Sequence, residues 1–186
     1  NIHFSTTFAN EGTSAEQGTV VLSDSEYYGT YYEAAIDIWG VDNTAYTLQY
    51  VVIDADGTIL TRSPKQTAAS GSATFNMTSH STFSTYYKGS ATAYFGVDAK
   101  NNKYNVYVEV NAESVDANFG GYVGLLLYGP KGVMLNGWVV DEFTDIMALG
   151  KDGLIDGDSE KSISAMVTGE NVISVGAFAS KKSYKS

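Results

Sequence analysis

The chain has 186 residues, 44% of them hydrophobic and 17% charged, and its 11 Lys+Arg against 21 Asp+Glu give a net charge of −10. That length suits one domain, or one domain plus fragments, and the composition is globular rather than disordered. The charge argues against nucleic acid and against an anionic membrane surface, because phosphate neutralisation needs clustered Lys and Arg and Arg62 is the single arginine.

Zero cysteines exclude disulfides, thiolate zinc sites and cysteine catalysis. No apolar run approaches the ~20 residues of a membrane helix. The first residues carry neither a basic n-region nor a long apolar h-region, which for an excised fragment leaves the compartment open. The abundance of Tyr, Thr, Ser, Asn and Gly resembles extracellular β-proteins.

Residues 1–8 alternate loosely through Ile2, Phe4 and Phe8, which predicts a short strand. Residues 19–22 read as a second, and residues 34–39 as a third with Ile36 and Ile38 on one face. Residues 46–53 form the next, with Tyr46, Leu48, Tyr50 and Val52 sharing a face. Asp54-Ala55-Asp56-Gly57 is a hairpin signal, since Asp-Gly supplies the positive φ that tight turns demand, and residues 58–61 return.

Residues 63–72 hold Pro64 and read as an exposed loop, followed by strands at 75–78 and 91–97. Asn101-Asn102-Lys103 turns into residues 104–110, the cleanest period-2 stretch, with Tyr104, Val106, Val108 and Val110 predicted inward. Residues 122–128 are apolar throughout and read as a central sandwich strand. After Gly129-Pro130-Lys131-Gly132, residues 133–140 are expected to pair back on it. Residues 141–149 predict one short helix stopped by Gly150. Roughly ten short strands without helical periods between them make the fold class all-β, an antiparallel β-sandwich with a jelly roll as the leading topology.

Several clusters invite a chemical reading. Asp152, Asp156, Asp158 and Glu160 surround Gly153 and Gly157, and calcium wants several hard oxygens at close range. The spacing departs from the EF-hand pattern, and Asp-Gly pairs are also ordinary turn chemistry. Calcium is therefore the one candidate cofactor; bound there, it would raise the melting temperature in an EDTA-to-calcium titration. Trp39, Trp138 and the pairs Tyr27-Tyr28, Tyr31-Tyr32 and Tyr86-Tyr87 suggest a carbohydrate platform, because sugar faces stack on exposed rings. The competing reading is that these aromatics fill the core and edges of the sandwich. Trp39 or Trp138 coplanar and exposed on one flat face would favour a carbohydrate-binding module of jelly-roll type, and both buried would favour an insert domain of a larger protein.

The tail is of a different kind. Val172, Ile173 and Val175 form an apolar β-branched run closed by Gly176, as in a strand buried on both faces of a parallel sheet. Nothing else in the chain reads as a parallel α/β sheet. Ile163-Ser164, a spacer, then Asn171-Val172-Ile173-Ser174-Val175-Gly176-Ala177-Phe178 resembles the strand of subtilisin-like serine peptidases that lies between the oxyanion-hole asparagine and the nucleophilic serine. The resemblance is to the large subtilases of Bacteroidetes and clostridia, which carry a β-rich insert before this strand. Ile36-Asp37-Ile38-Trp39-Gly40 also looks like those proteins. The close match covers residues 152–186 and a few patches upstream.

The resemblance implies an insert domain over residues 1–160 and a fragment of the catalytic domain over 161–186. It implies a secreted or cell-envelope parent that hydrolyses peptide bonds. The partners would then be the catalytic domain of the same polypeptide and the peptide substrates of the parent. The triad itself is not here. Gly12-Thr13-Ser14-Ala15 resembles the start of the family's nucleophile motif. It lacks the following Met-Ala and proline, and it precedes the strand that the family's serine follows, so Ser14 reads as a turn serine. Asn10-Glu11-Gly12 resembles the oxyanion loop, whose asparagine stabilises the transition state by ~3 kcal/mol. Ala9 stands where the family has glycine, so Asn10 is an oxyanion candidate that competes with a plain turn. Neither His3 nor His80 begins a His-Gly-Thr, and no Asp-x-Gly follows a buried strand in the right order. A fragment with no general base in place is expected to be inactive alone.

Overall fold

Period-2 alternation sorts the side chains of the computed structural model, which describes residues 3–9, 19–23, 30–140, 144–149 and 153–158, into an inner and an outer layer. In β3 (Tyr31–Gly40) Tyr32, Ala34, Ile36 and Ile38 are buried, while the residues between them face outward. In β8 (Tyr104–Ser114) Tyr104, Val106, Val108, Val110 and Ala112 turn inward, as the alternation predicts. These β-branched and aromatic side chains meet Leu48, Tyr50 and Val52 of β4 (Thr47–Ile53) and Val123, Leu125 and Leu127 of β9 (Tyr122–Tyr128) in one core. The all-β sandwich follows directly.

The remaining strands are β1 (His3–Thr7), β2 (Thr19–Ser23), β5 (Ile59–Arg62), β6 (Gly71–Asn76), β7 (Tyr87–Val97), β10 (Met134–Val139), β11 (Asp145–Met147) and β12 (Leu154–Ile155). One sheet has the order β1-β10-β3-β8-β7-β6, and the other β11-β2-β9-β4-β5 with β12 also beside β2. Setting aside β6, β7, β11 and β12, the facing sheets read β1-β10-β3-β8 and β2-β9-β4-β5. That is the strand order of a jelly roll. The β6–β7 hairpin widens one sheet.

Three local expectations change. Residues 133–140 do not pair back on β9, because β2 and β4 already occupy both of its edges. The chain instead turns a corner and enters the opposite sheet as β10, between β1 and β3. Phe8 holds that corner: its N–H donates to the Val133 carbonyl at 3.0 Å, and its carbonyl accepts from Gly132 at 2.8 Å. The helix expected at 141–149 is absent from its described part. Residues 145–147 pair as β11 with the open edge of β2, which satisfies more backbone groups than a single costly helical turn. The loop at 63–72 is not exposed throughout. Ser63 is buried and its Oγ accepts from the Tyr50 N–H at 2.9 Å, and Gln66 bridges Leu48, so the segment extends the β4 edge past Pro64.

The hairpin at Asp54 forms as predicted. Gly57 has φ 78°, and the Asp54 carboxylate accepts from the N–H groups of Asp56 and Thr58 at 3.0 and 2.7 Å. β9 is apolar throughout because both its faces are covered. Leu126 lies opposite the core, in a second cluster with Val21, Val51 and Ile53. The tail strand expected at 172–178 lies outside the described residues.

Candidate functional site

The outer face of the first sheet collects the polar and aromatic residues that alternate with the core. On β3 these are Tyr31, Glu33, Ala35, Asp37 and Trp39; on β8 they include Asn105, Tyr107, Glu109 and Asn111; on β10, Asn136 and Trp138. Register then places them. Asn136 lies directly opposite Trp39, and Trp138 directly opposite Asp37. The two indoles therefore occupy one diagonal of a four-residue square, with an amide and a carboxylate on the other.

Each indole is held from behind. The Trp39 Nε1–H donates to Asp37 Oδ2 at 2.7 Å, and the other Asp37 oxygen accepts from the Asn105 amide. The Trp138 ring lies 5.0 Å from the His3 ring, centroid to centroid, at 46°. His3 points outward from β1, opposite Trp138, yet is only 1% exposed. Its Nδ1 pairs with Asp158 Oδ1 at 2.7 Å, and its Nε2 lies 3.4 Å from Asn136 Oδ1. A carboxylate only accepts, so Nδ1 carries a proton there.

In front of the indoles is a cleft of about 270 Å³, lined also by Val41, Asn101, Lys103 and Asn136. The turn that carries Val41 is fixed by Asp42. Its carboxylate accepts from the Thr44 side chain and backbone, and those bonds hold its pKa below the usual carboxylate range. Further along the same face, a second depression of about 240 Å³ is lined by Glu33, Ala35, Tyr107, Glu109, Asn111 and Val140. Beside it the Tyr94 and Tyr107 rings lie 6.0 Å apart.

The sequence-predicted sites fare differently. Trp39 and Trp138, 99 positions apart in sequence, come together; both are half-buried, neither in the core nor fully exposed. Asp156 is exposed, while the Asp158 carboxylate is engaged by His3. Among the described residues no group of three His, Cys, Asp or Glu is placed to hold a metal ion. Asp152, Glu160, Asn10 and Ser14 lie outside the described residues. His80 has a packing role: its ring lies edge-on to Phe75 and Phe83, centroids 5.2 and 5.7 Å away, and its Nδ1 is 3.4 Å from both Thr82 Oγ1 and the Phe83 N–H. Among the described residues, no serine hydroxyl is paired with either histidine.

Sequence reasoning missed Asp37, His3 and Asn136 as supports of the cleft. Asp37 had a signal, since positions two apart on a strand share a face with Trp39. His3 and Asp158 had none, being 155 residues apart. No family model, curated protein or solved structure matches the chain.

Proposed function

We propose that this chain is a non-catalytic accessory domain of a secreted subtilisin-like serine endopeptidase, a jelly roll set into the catalytic domain, with residues 161–186 returning to that domain. The observation that supports the reading is where the two ends of the sandwich lie. The His3 N–H donates to the Asp158 carbonyl at 3.1 Å, and the Asp158 N–H to the His3 carbonyl at 2.7 Å. The first strand and the last described segment thus run side by side, clasped by the His3–Asp158 side-chain pair. A domain inserted in a loop of another must enter and leave at neighbouring points, and the pairing of His3 with Asp158 is what supports that reading here. The likeness of residues 171–178 to the family's strand supports a subtilisin-like host.

In this reading the Asp, His and Ser of the triad belong to the host, and the sandwich gates substrate access or stabilises the catalytic domain. Two measurements test it. Sequencing the reading frame on both sides should find His-Gly-Thr upstream and Gly-Thr-Ser-Met-Ala downstream; their absence overturns the proposal. The purified chain should neither hydrolyse casein nor react with a fluorophosphonate probe, and labelling of any serine within it would also overturn the proposal.

A further inference from the structure

We infer that the cleft between Trp39 and Trp138 is a binding site for a neutral glycan chain, which runs along the outer face of the β10-β3-β8 strands. The inference goes beyond the accessory role and holds whether or not the domain sits in a peptidase. The arrangement is costly. Two indoles half out of water on one sheet face leave apolar area unburied, although the same residues on inner positions would add to the core. They are nevertheless fixed in place, Trp39 by its hydrogen bond to Asp37 and Trp138 by the buried His3 ring behind it. Rings fixed in advance lose little conformational freedom when a flat ligand settles on them.

The lining selects the ligand class. A pyranose ring has an apolar face of C–H groups and a rim of hydroxyls. The indoles offer a surface for the first, and Asn101 and Lys103 offer amide and ammonium groups for the second. The cleft has room for one such ring. The face then continues from Trp39 to Glu33, six residues along β3, about 20 Å at strand rise and several pyranose rings long. The second depression, with Tyr107, Glu109 and Asn111, lies at that end. An oligosaccharide fits this layout better than a single sugar.

Charge narrows the class further. Asp37, Glu33 and Glu109 share the face, and the chain carries −10 overall. Sulfated or sialylated chains would meet like charge, so the preferred glycan is neutral. A peptide fits poorly, because β10, β3 and β8 are each paired on both edges and offer no backbone for strand addition.

The protein supplies its own reporter. Trp39 and Trp138 are the chain's two tryptophans and both line the cleft, so all indole emission comes from the site. The intact chain is titrated with neutral hexasaccharides of glucose, galactose, mannose or N-acetylglucosamine, with a heparin-derived hexasaccharide and with a tryptic peptide mixture. We expect at least one neutral hexasaccharide to shift the emission saturably, with half-saturation at or below about 1 mM, the regime of a few stacked rings. Trp39→Phe, which keeps a packed ring, should weaken binding several-fold, and Trp39→Ala about tenfold or more. Thr74→Ala on the distant β6 edge should leave it unchanged. Melting temperature checks that each variant is folded. No response to any neutral hexasaccharide, an equal response to the heparin fragment, or a response to peptides alone would each overturn the assignment.

Discussion

Replacing Tyr50 by phenylalanine should stabilise the sandwich. Tyr50 is completely buried in the middle of β4, its ring stacked on Phe75 with centroids 5.7 Å apart and planes at 16°. Its N–H is satisfied by Ser63 Oγ, but its hydroxyl has no hydrogen-bond partner among the described residues. The ring is well placed, and only the oxygen is mismatched. A buried hydroxyl without a partner costs about 1–3 kcal/mol in desolvation. Deleting it forfeits a handful of dispersion contacts of about 0.1–0.2 kcal/mol each. The net gain is then about 1 kcal/mol, which for a domain of this size raises Tm by about 2–4 °C.

The same substitution has a pH signature. Burial pushes the Tyr50 hydroxyl pKa well above the ordinary tyrosine value. The folded protein therefore keeps a proton that the unfolded chain loses from about pH 10 upward. The sign follows: this contribution is complete below pH ~10 and is lost as pH rises toward the folded pKa, at up to about 1.4 kcal/mol per pH unit. Tyr50→Phe removes it and flattens the alkaline limb. Urea unfolding followed by circular dichroism, at neutral pH and at about pH 11, measures both effects. A lower Tm would show that the hydroxyl has a partner, and an unchanged alkaline slope that burial does not hold its proton; either result would refute the reasoning.

Tyr46 and Tyr104, also buried and raised in pKa chiefly by desolvation, should give the wild-type chain a steeper loss of stability above pH ~10 than exposed tyrosines would produce, readable in the same titration. Gly89→Ala should destabilise by about 2 kcal/mol or more in urea unfolding, because φ is 112° there and a Cβ would strike the Asn111 carbonyl across the β7–β8 ladder. His3→Ala should cost about 1–2 kcal/mol, since it empties a buried site and unclasps Asp158. It should also shift indole emission to the red as Trp138 loses the ring behind it, whereas an unchanged spectrum would mean that His3 does not support the cleft.

Alternation along β3 and β8 was enough to predict which residues build the core, since neighbouring side chains on an extended backbone must point to opposite faces. The Asp56-Gly57 turn was equally legible, because few residues accept a positive φ. Both are local consequences of chain geometry. Which sheet β10 joins was not legible, because it depends on both edges of β9 being filled by strands from elsewhere. The meeting of Trp39 with Trp138, and of His3 with Asp158, belongs to the same order of fact. Side-chain character, strand period and turn chemistry are written residue by residue; which distant strands become neighbours is decided only when the two sheets close over a shared core, and the cleft and the clasp exist only after that closure.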